Sequence, residues 1–319
     1  MDVAPTCWIV TDGAAGNVKQ CEALADALGA DAEALTLTLR QPWASLVPYW
    51  RALGTLGITG ELAPRLRGPW PELLLTAGRR AVLASTTIGR LASNVYRVHL
   101  LDPRIDPRHF DRVVCPRHDP CSGPNVTRTR GSLHAVNEAS LATWRSAWSG
   151  TLGDLPGPRV VLLVGAGTRN VPLSTETILQ HAATARDLAG DSGSLLVTSS
   201  RRTPPEVSHA LRDRLGARAH FAEDFDENPY AGFLAWADRF VVTPDSVNMV
   251  SEALGTGRPV HTGIPDSVRG RPAKFLVGLR DDGMILPLAE RPTEHHYGPL
   301  RECAGVATVI ADDLARRRA

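Results

Sequence analysis

The chain has 319 residues, enough for two α/β domains of roughly 150 residues each. Hydrophobic residues make up 43% and charged residues 22%, the balance of a soluble globular protein. Lys plus Arg is 35 and Asp plus Glu is 34, so the net charge is +1, which argues against general nucleic-acid binding.

Cys7, Cys21, Cys115, Cys121 and Cys303 are odd in number and form no CxxC pair. Neither a zinc site nor a disulfide framework is indicated, and a reduced, cytoplasmic setting is expected. Asp2 and Pro5 interrupt the start, so no signal peptide is expected. No apolar stretch approaches about 18 residues, so any membrane association should be peripheral.

Cys7-Trp-Ile-Val10 reads as a first strand, followed by a glycine loop over residues 11–17 and a helix from about Val18 to Leu28. Gly13 and Gly16 permit a tight turn and close approach of backbone to a ligand. This loop is neither GxGxxG nor a lysine-bearing phosphate loop. It offers Asp12, Asn17 and Gln20 at the carboxyl end of a strand, where α/β sheets bind ligands. Residues 34–39 alternate as a second strand. Residues 42–70 carry Trp43, Tyr49, Trp50, Trp70 and several prolines, expected as short helices and loops whose exposed aromatics line an acceptor groove, touch a membrane surface, or serve as core.

Residues 72–76 form a third strand. It ends at Ala77-Gly-Arg-Arg80, where Arg79 and Arg80 at a helix start would concentrate positive charge. Strands are expected at 95–101, 110–115 and 125–129. The second of these ends at Pro116-Arg-His-Asp119, which offers His118 and Asp119 as an acid or base. A helix from about Asn137 to Trp148 precedes a Gly/Pro-rich stretch at 149–158 that reads as the linker between two equal domains. The domains would then be 1–150 and 151–297, with a C-terminal helix in 298–319 packing back on the first.

The second half repeats the strand, loop, helix order. Arg159 to Val164 is a buried strand followed by a second glycine loop with Gly165, Gly167 and Thr168. A strand at 193–198 leads to Ser200, Arg201 and Arg202. After a helix at 205–215 and a short strand at 219–221 comes Phe240 to Val242, a further strand. Asp245 or Ser246 caps the next helix, which Gly255 or Gly257 closes. The first N–H groups of that helix, near Ser246 and Asn248, make an anion site. Glu252 lies too far in to be a capping-box residue; its carboxylate could accept both hydroxyls of a ribose. Phosphate at the cap and ribose at the glutamate would describe a nucleotide. The fold class expected is α/β, with two Rossmann-like, doubly wound domains facing across a cleft.

Several segments together resemble a known family. Trp8-Ile-Val-Thr-Asp-Gly-Ala-Ala-Gly-Asn17 with Gln20, Ala77-Gly-Arg-Arg80, Pro116-Arg-His-Asp119, Ser200-Arg-Arg-Thr203, Asn228-Pro-Tyr230 and Thr243-Pro-Asp-Ser-Val-Asn-Met-Val-Ser-Glu252 are similar to the patterns of the mitochondrial-fission "elongated mitochondria" protein family and its bacterial members. More widely, the plan resembles GT-B type glycosyltransferases. That resemblance implies a nucleotide-sugar donor in the second domain, with the ribose on Glu252. The diphosphate would lie on Ser246, Asn248, Gly165, Gly167 and Thr168, and Ser200, Arg201 and Arg202 would meet base or phosphate. Acceptor and anion groups would be Gly13, Gly16, Asn17, Arg79 and Arg80, with Asp12, His118 or Asp119 catalytic. It implies no cofactor and no bound metal; the exposed aromatics and arginines fit a glycan or lipid-linked acceptor at the inner face of a membrane. A sugar-nucleotide epimerase and a non-enzymatic adaptor are the alternatives.

Overall fold

The structure, a computed structural model, describes residues 4–52, 54–200, 202–265, 267–292 and 294–318. The chain divides into two compact units, 1–135 with 302–319, and 136–301.

In the first unit the strands are β1 (Thr6–Thr11), β2 (Asp31–Thr36), β3 (Leu73–Ala77), β4 (Tyr96–Leu100), β5 (Arg112–Pro116) and β6 (Val126–Thr129), ordered β2-β1-β3-β4-β5-β6 with all neighbours parallel. The central strands are apolar almost throughout, as a sheet covered on both faces requires. Helix α1 (Ala15–Ala27) lies on one face with the C-terminal α9 (Cys303–Arg318), burying Cys21, Leu24, Val306 and Ile310 against Ile9 and Leu75. Helix α2 (Ala81–Leu91) covers the other face, where Leu83 and Ile88 meet Val10 and Leu74. The arginines that end α9 tie it down. Arg318 donates to both Glu72 oxygens at 2.6 and 2.7 Å, and Arg112 reaches Asp313 through Nε at 2.9 Å.

The second strand differs from its expected span. Ala34–Leu39 alternates without a break, but β2 pairs Asp31 with Thr6, directly after the left-handed Gly29, and leaves the sheet at Thr36. Thr38–Leu39 instead pairs with Ile58–Thr59 in a small antiparallel ribbon. Of the aromatics in 42–70, Trp43 is buried and stacks on Trp50 at 5.4 Å, whereas Tyr49 is 74% exposed.

The second unit carries β7 (Arg159–Val164), β8 (Ser194–Ser199), β9 (Ala219–Phe221), β10 (Arg239–Val242) and β11 (Val260–His261), ordered β9-β8-β7-β10-β11 and parallel throughout. Helices α3 (Glu138–Ala147), α4 (Thr175–Ala189), α5 (Pro205–Leu215), α6 (Tyr230–Trp236), α7 (Val247–Gly255) and α8 (Gly270–Asp281) surround it. The α/β class with parallel sheets is as expected from the sequence.

The unit boundary is not at the Gly/Pro-rich stretch but before α3. The reason lies in α6: Arg145 donates to the Ala235 carbonyl at 3.1 and 2.7 Å, and Trp236 Nε1 returns a bond to the Arg145 carbonyl at 3.1 Å. Gly232 admits the Trp148 ring, since a Cβ there would sit 2.5 Å from it. Among the described residues no helix is long and apolar enough to cross a membrane.

Candidate functional site

In each sheet the chain runs outward from a central strand in one direction and then returns to build the other side. The change of direction falls between β1 and β3 in the first unit and between β7 and β10 in the second. Loops leaving two adjacent strands part there, and ligands of such sheets bind in the resulting crevice.

At the second-unit crevice the loops after β7 and β10 are stitched together. Gly165 N–H donates to Thr243 Oγ1 at 2.8 Å, and Gly167 N–H donates to Asp245 Oδ2 at 2.9 Å. The Thr243 hydroxyl donates in turn to Asp245 Oδ1 at 2.7 Å. Asp245 is 8% exposed, and these donors satisfy its buried charge. Gly165 is required by space: a Cβ there would lie 2.1–2.4 Å from the Asp245 carboxylate. Gly167 is required by conformation, at φ 72°. Thr168 closes the glycine loop by paired backbone bonds with Val171 at 2.8 and 3.1 Å.

Ser246 caps α7, its hydroxyl accepting from Met249 N–H at 3.3 Å. The N–H groups of Val247 and Asn248 find no hydrogen-bond partner among the described residues, so the first turn of α7 presents donors beside the stitched loops. From β8, Ser200 accepts from Arg202 N–H at 3.2 Å, and Thr203 Oγ1 donates to the Gly165 carbonyl at 3.1 Å. That places the Ser200 loop against the glycine loop. Arg202 is exposed; Arg201 lies outside the described residues. On α7, Glu252 is half-buried and accepts from the Tyr230 hydroxyl at 2.5 Å.

His181 of α4 was not a candidate from sequence. Its Nδ1 lies 2.8 Å from the Thr177 carbonyl, which can only accept, so Nδ1 carries the proton. Nε2 then accepts from Gly263 N–H at 3.4 Å and fixes the loop after β11. Burial outweighs the pull of the Thr177 carbonyl and Asp245, and holds the imidazole pKa below its ordinary value. Gly263 also lines a hollow of about 220 Å³ with Ile264, Leu286 and Leu288. Asp245 and Tyr230 are further residues of this crevice that the sequence does not single out as site residues. Asp245 reads in sequence as a helix cap, and nothing local shows that it spans two loops 78 residues apart.

The first unit brings Asp12, Asn17, Arg79 and Arg80 to its own crevice. Asp12 Oδ1 accepts from Ala14 N–H and from Asn17 Nδ2, both at 3.4 Å. Gly78, at φ 83°, makes room for Asn17, whose amide nitrogen a Cβ would approach to 2.6 Å. Gly13 is likewise left-handed at φ 77°, and Gly16 lies within the first turn of α1. Ala14 is the N-cap residue of α1, and the Asn17 amide is directed to the Asp12 loop. Arg79 and Arg80 are exposed at the start of α2. His118 and Asp119 stand apart from this group, on the loop after β5, three strands or roughly 14 Å from β1. Arg128 anchors that loop by donating to the Arg117 and Asp119 carbonyls at 2.7 and 2.9 Å.

The sequence profile of the family described as "Mitochondrial fission ELM1" matches residues 15–314. The mitochondrial fission protein ELM1 of Arabidopsis thaliana is 32% identical over 276 residues, covering 77% of this chain but 65% of the plant protein, so the chain spans less than two thirds of that relative. An uncharacterized protein, RP120, of Rickettsia prowazekii (strain Madrid E) is 22% identical over 344 aligned positions, 95% of this chain and 97% of that one. Among solved structures, a MnaA–UDP complex from S. aureus superposes with a TM-score of 0.59 at 12% identity, over 97% of this chain and 96% of that one. A UDP-GlcNAc 2-epimerase from Neisseria meningitidis bound to UDP-GlcNAc gives 0.57 at 12% identity, over 98% and 100%. At such identities the likeness is one of fold.

Proposed function

Since this chain belongs to the mitochondrial fission ELM1 family, we propose that it is a glycosyltransferase of GT-B type, drawing a sugar from a nucleotide-sugar in the second unit. The observation that carries this reading is the second-unit crevice, where the Gly165 loop is held open by Asp245 beside the N-terminus of α7 and Glu252. The diphosphate would lie against the N–H groups near Asn248 and the Gly165–Thr168 loop, with Ser200, Arg201 and Arg202 at its flank. Glu252 would accept from the ribose hydroxyls.

The charge that develops on the departing diphosphate is stabilised in this scheme by helix N–H groups and guanidiniums, without a metal. The acceptor would meet the first unit. Asp12, held by Asn17, would serve as the base there, and such a base contributes roughly 10²–10⁴-fold. His118 and Asp119 would act further along the acceptor. Leu46, Tyr49, Trp50 and Leu56 are exposed on the first unit, which favours an acceptor carried on a lipid or an envelope glycan at a membrane surface. A second reading is a sugar-nucleotide epimerase, favoured by the fold likeness to UDP-GlcNAc 2-epimerases.

Thermal-shift titration with UDP, GDP, ADP, CMP and their sugar conjugates tests the reading. A ligand that binds only the folded state at 100 times its Kd adds about 2.7 kcal/mol of stability. The expected result is a shift with one base that Glu252→Ala abolishes. Release of an altered sugar nucleotide without acceptor would move the assignment to an epimerase. No shift at millimolar ligand would remove both and leave an adaptor.

A further inference from the structure

We propose that Tyr230 is a positioning residue that aims the Glu252 carboxylate at the ribose of the bound nucleotide. The inference rests on the nucleotide reading above and gives a role to the Asn228-Pro-Tyr230 segment, which that reading leaves unused.

Glu252 stands six residues past the cap of α7, on a side chain with three rotatable torsions. Each torsion that must be ordered on binding reduces affinity, and a contact the carboxylate already makes lowers that cost. The Tyr230 hydroxyl lies 2.5 Å from Oε2, within the range of a charge-assisted O–H···O⁻ bond. A carboxylate only accepts, so the phenol donates. Burial, with Glu252 beside it, pushes the phenol pKa well above its ordinary value, so the donor keeps its proton at any working pH.

Tyr230 is itself fixed. Asn228 Oδ1 accepts its N–H at 3.1 Å and starts α6 at the carboxyl side of β9. Its ring packs on the core cluster that holds Phe233, Val242 and Leu254. A packed ring with two torsions transmits the position of the core to one carboxylate oxygen. A phenol suits this task better than an arginine. It occupies one of the about four acceptor sites of a carboxylate and leaves the negative charge in place to attract ribose hydroxyls.

The test is calorimetric titration of wild type, Tyr230→Phe, Glu252→Ala and the double variant with UDP, GDP, ADP and CDP and their 2′-deoxy counterparts. Wild type should prefer the ribonucleotide about tenfold. Tyr230→Phe should bind the ribonucleotide about tenfold more weakly, about 1.4 kcal/mol, and the deoxy form within about twofold of wild type. In the Glu252→Ala background the tyrosine change should cost nothing further. If Tyr230→Phe keeps its ribose preference, or weakens both ligands alike while melting as wild type, Tyr230 is only a packing residue and the inference is overturned with the nucleotide site intact. If wild type binds none of the probes, the nucleotide reading and this inference both fall. Should Tyr230→Phe not fold, loss of ribose preference in Asn228→Ala, which frees the Tyr230 N–H but leaves its hydroxyl, decides in favour; retention decides against.

Discussion

Gly165→Ala is the sharpest perturbation of the second-unit crevice. The new methyl carbon would lie 2.1 Å from Oδ2, 2.2 Å from Oδ1 and 2.4 Å from Cγ of Asp245. All three contacts are with one carboxylate that is nearly enclosed, so the methyl cannot be accommodated by swinging a surface side chain. Asp245 must retreat, which breaks its bonds from Gly167 N–H and the Thr243 hydroxyl. Hydrogen bonds to a charged group are worth about 1.5–3 kcal/mol each, and overpacking adds about 1–3 kcal/mol. Partial rehydration of the freed carboxylate offsets some of this. A net loss of about 3–4 kcal/mol is expected for the second unit, or roughly 6–16 °C in Tm for a domain of this size. Nucleotide-induced stabilisation should vanish as well, because the two loops separate. The assay is a thermal melt with and without whichever nucleotide stabilises the wild type. Gly305→Ala is the control: it lies in α9 with nothing within 4 Å of the added carbon, and should be neutral or stabilise by about 0.5–1 kcal/mol. A Gly165→Ala protein melting within about 2 °C of wild type, with its nucleotide response unchanged, would refute the reasoning about Asp245.

Three further outcomes are expected. Asp313→Asn should cost about 2–3 kcal/mol of first-unit stability, read as faster hydrogen exchange in α9, because it weakens bonds from Tyr96, Arg112 and Arg316 to a side chain 12% exposed. In the wild type, burial raises the Asp313 carboxyl, but those hydrogen bonds outweigh it and hold its pKa low; Arg318 lowers that of Glu72. Both contributions are complete above the ordinary carboxylate range and are lost as pH falls through the depressed folded values, so α9 should loosen in acid before β7 to β10. His99 is fully buried and pushed down to about 3, mainly by burial. The unfolded chain therefore takes a proton near pH 6.5 that the folded state refuses. Stability should fall by about 1.4 kcal/mol per pH unit below that, and His99→Gln should remove this slope from exchange of the β3 and β4 amides.

Much of the fold could be read from the chain. Apolar runs such as Val160 to Val164 and Leu73 to Leu75 are buried in parallel strands, where both faces demand hydrophobic side chains. Helix α5 spans Pro205–Leu215, as the sequence reads, and α3 begins after Asn137, whose side-chain oxygen accepts from Ser140 N–H at 2.9 Å. The unit boundary was not legible, because glycine and proline mark a connection without telling which unit the preceding helix packs on; Trp148 and Arg145 decide that by contacts with α6. Helix α8 was missed. Arg269 supplies no side-chain cap, Pro272 stands in the first turn, and Gly278 lies inside. At the candidate site, glycines after strands marked both crevices. The partners that need those glycines came from distant loops and left no local signal.

Those partners show a shared construction. In the second unit the glycine is on the first loop of the crevice and the polar side chain on the second: Gly165 against Asp245. In the first unit the order is reversed: Gly78, on the second loop, makes room for Asn17, at the start of α1 after the first. Either way a missing Cβ lets a polar side chain from the neighbouring loop fill the point where two strands diverge. The chemistry then differs with the side chain used. Asp245 is an anion whose bonds are spent inward on Gly167 and Thr243, so it shapes the crevice and leaves helix N–H groups to meet an anionic ligand. Asn17 is neutral and donates to Asp12, which remains half-buried. A site with donors at its rim suits a diphosphate. A half-buried carboxylate held by a neutral amide suits a hydroxyl that must lose a proton. The proposed assignment of donor and acceptor to different units is tested by Asp12→Asn. Transfer should fall by roughly 10²-fold or more, while the nucleotide-induced thermal shift stays as in wild type. A loss of that shift would place Asp12 in the donor site and undo the assignment.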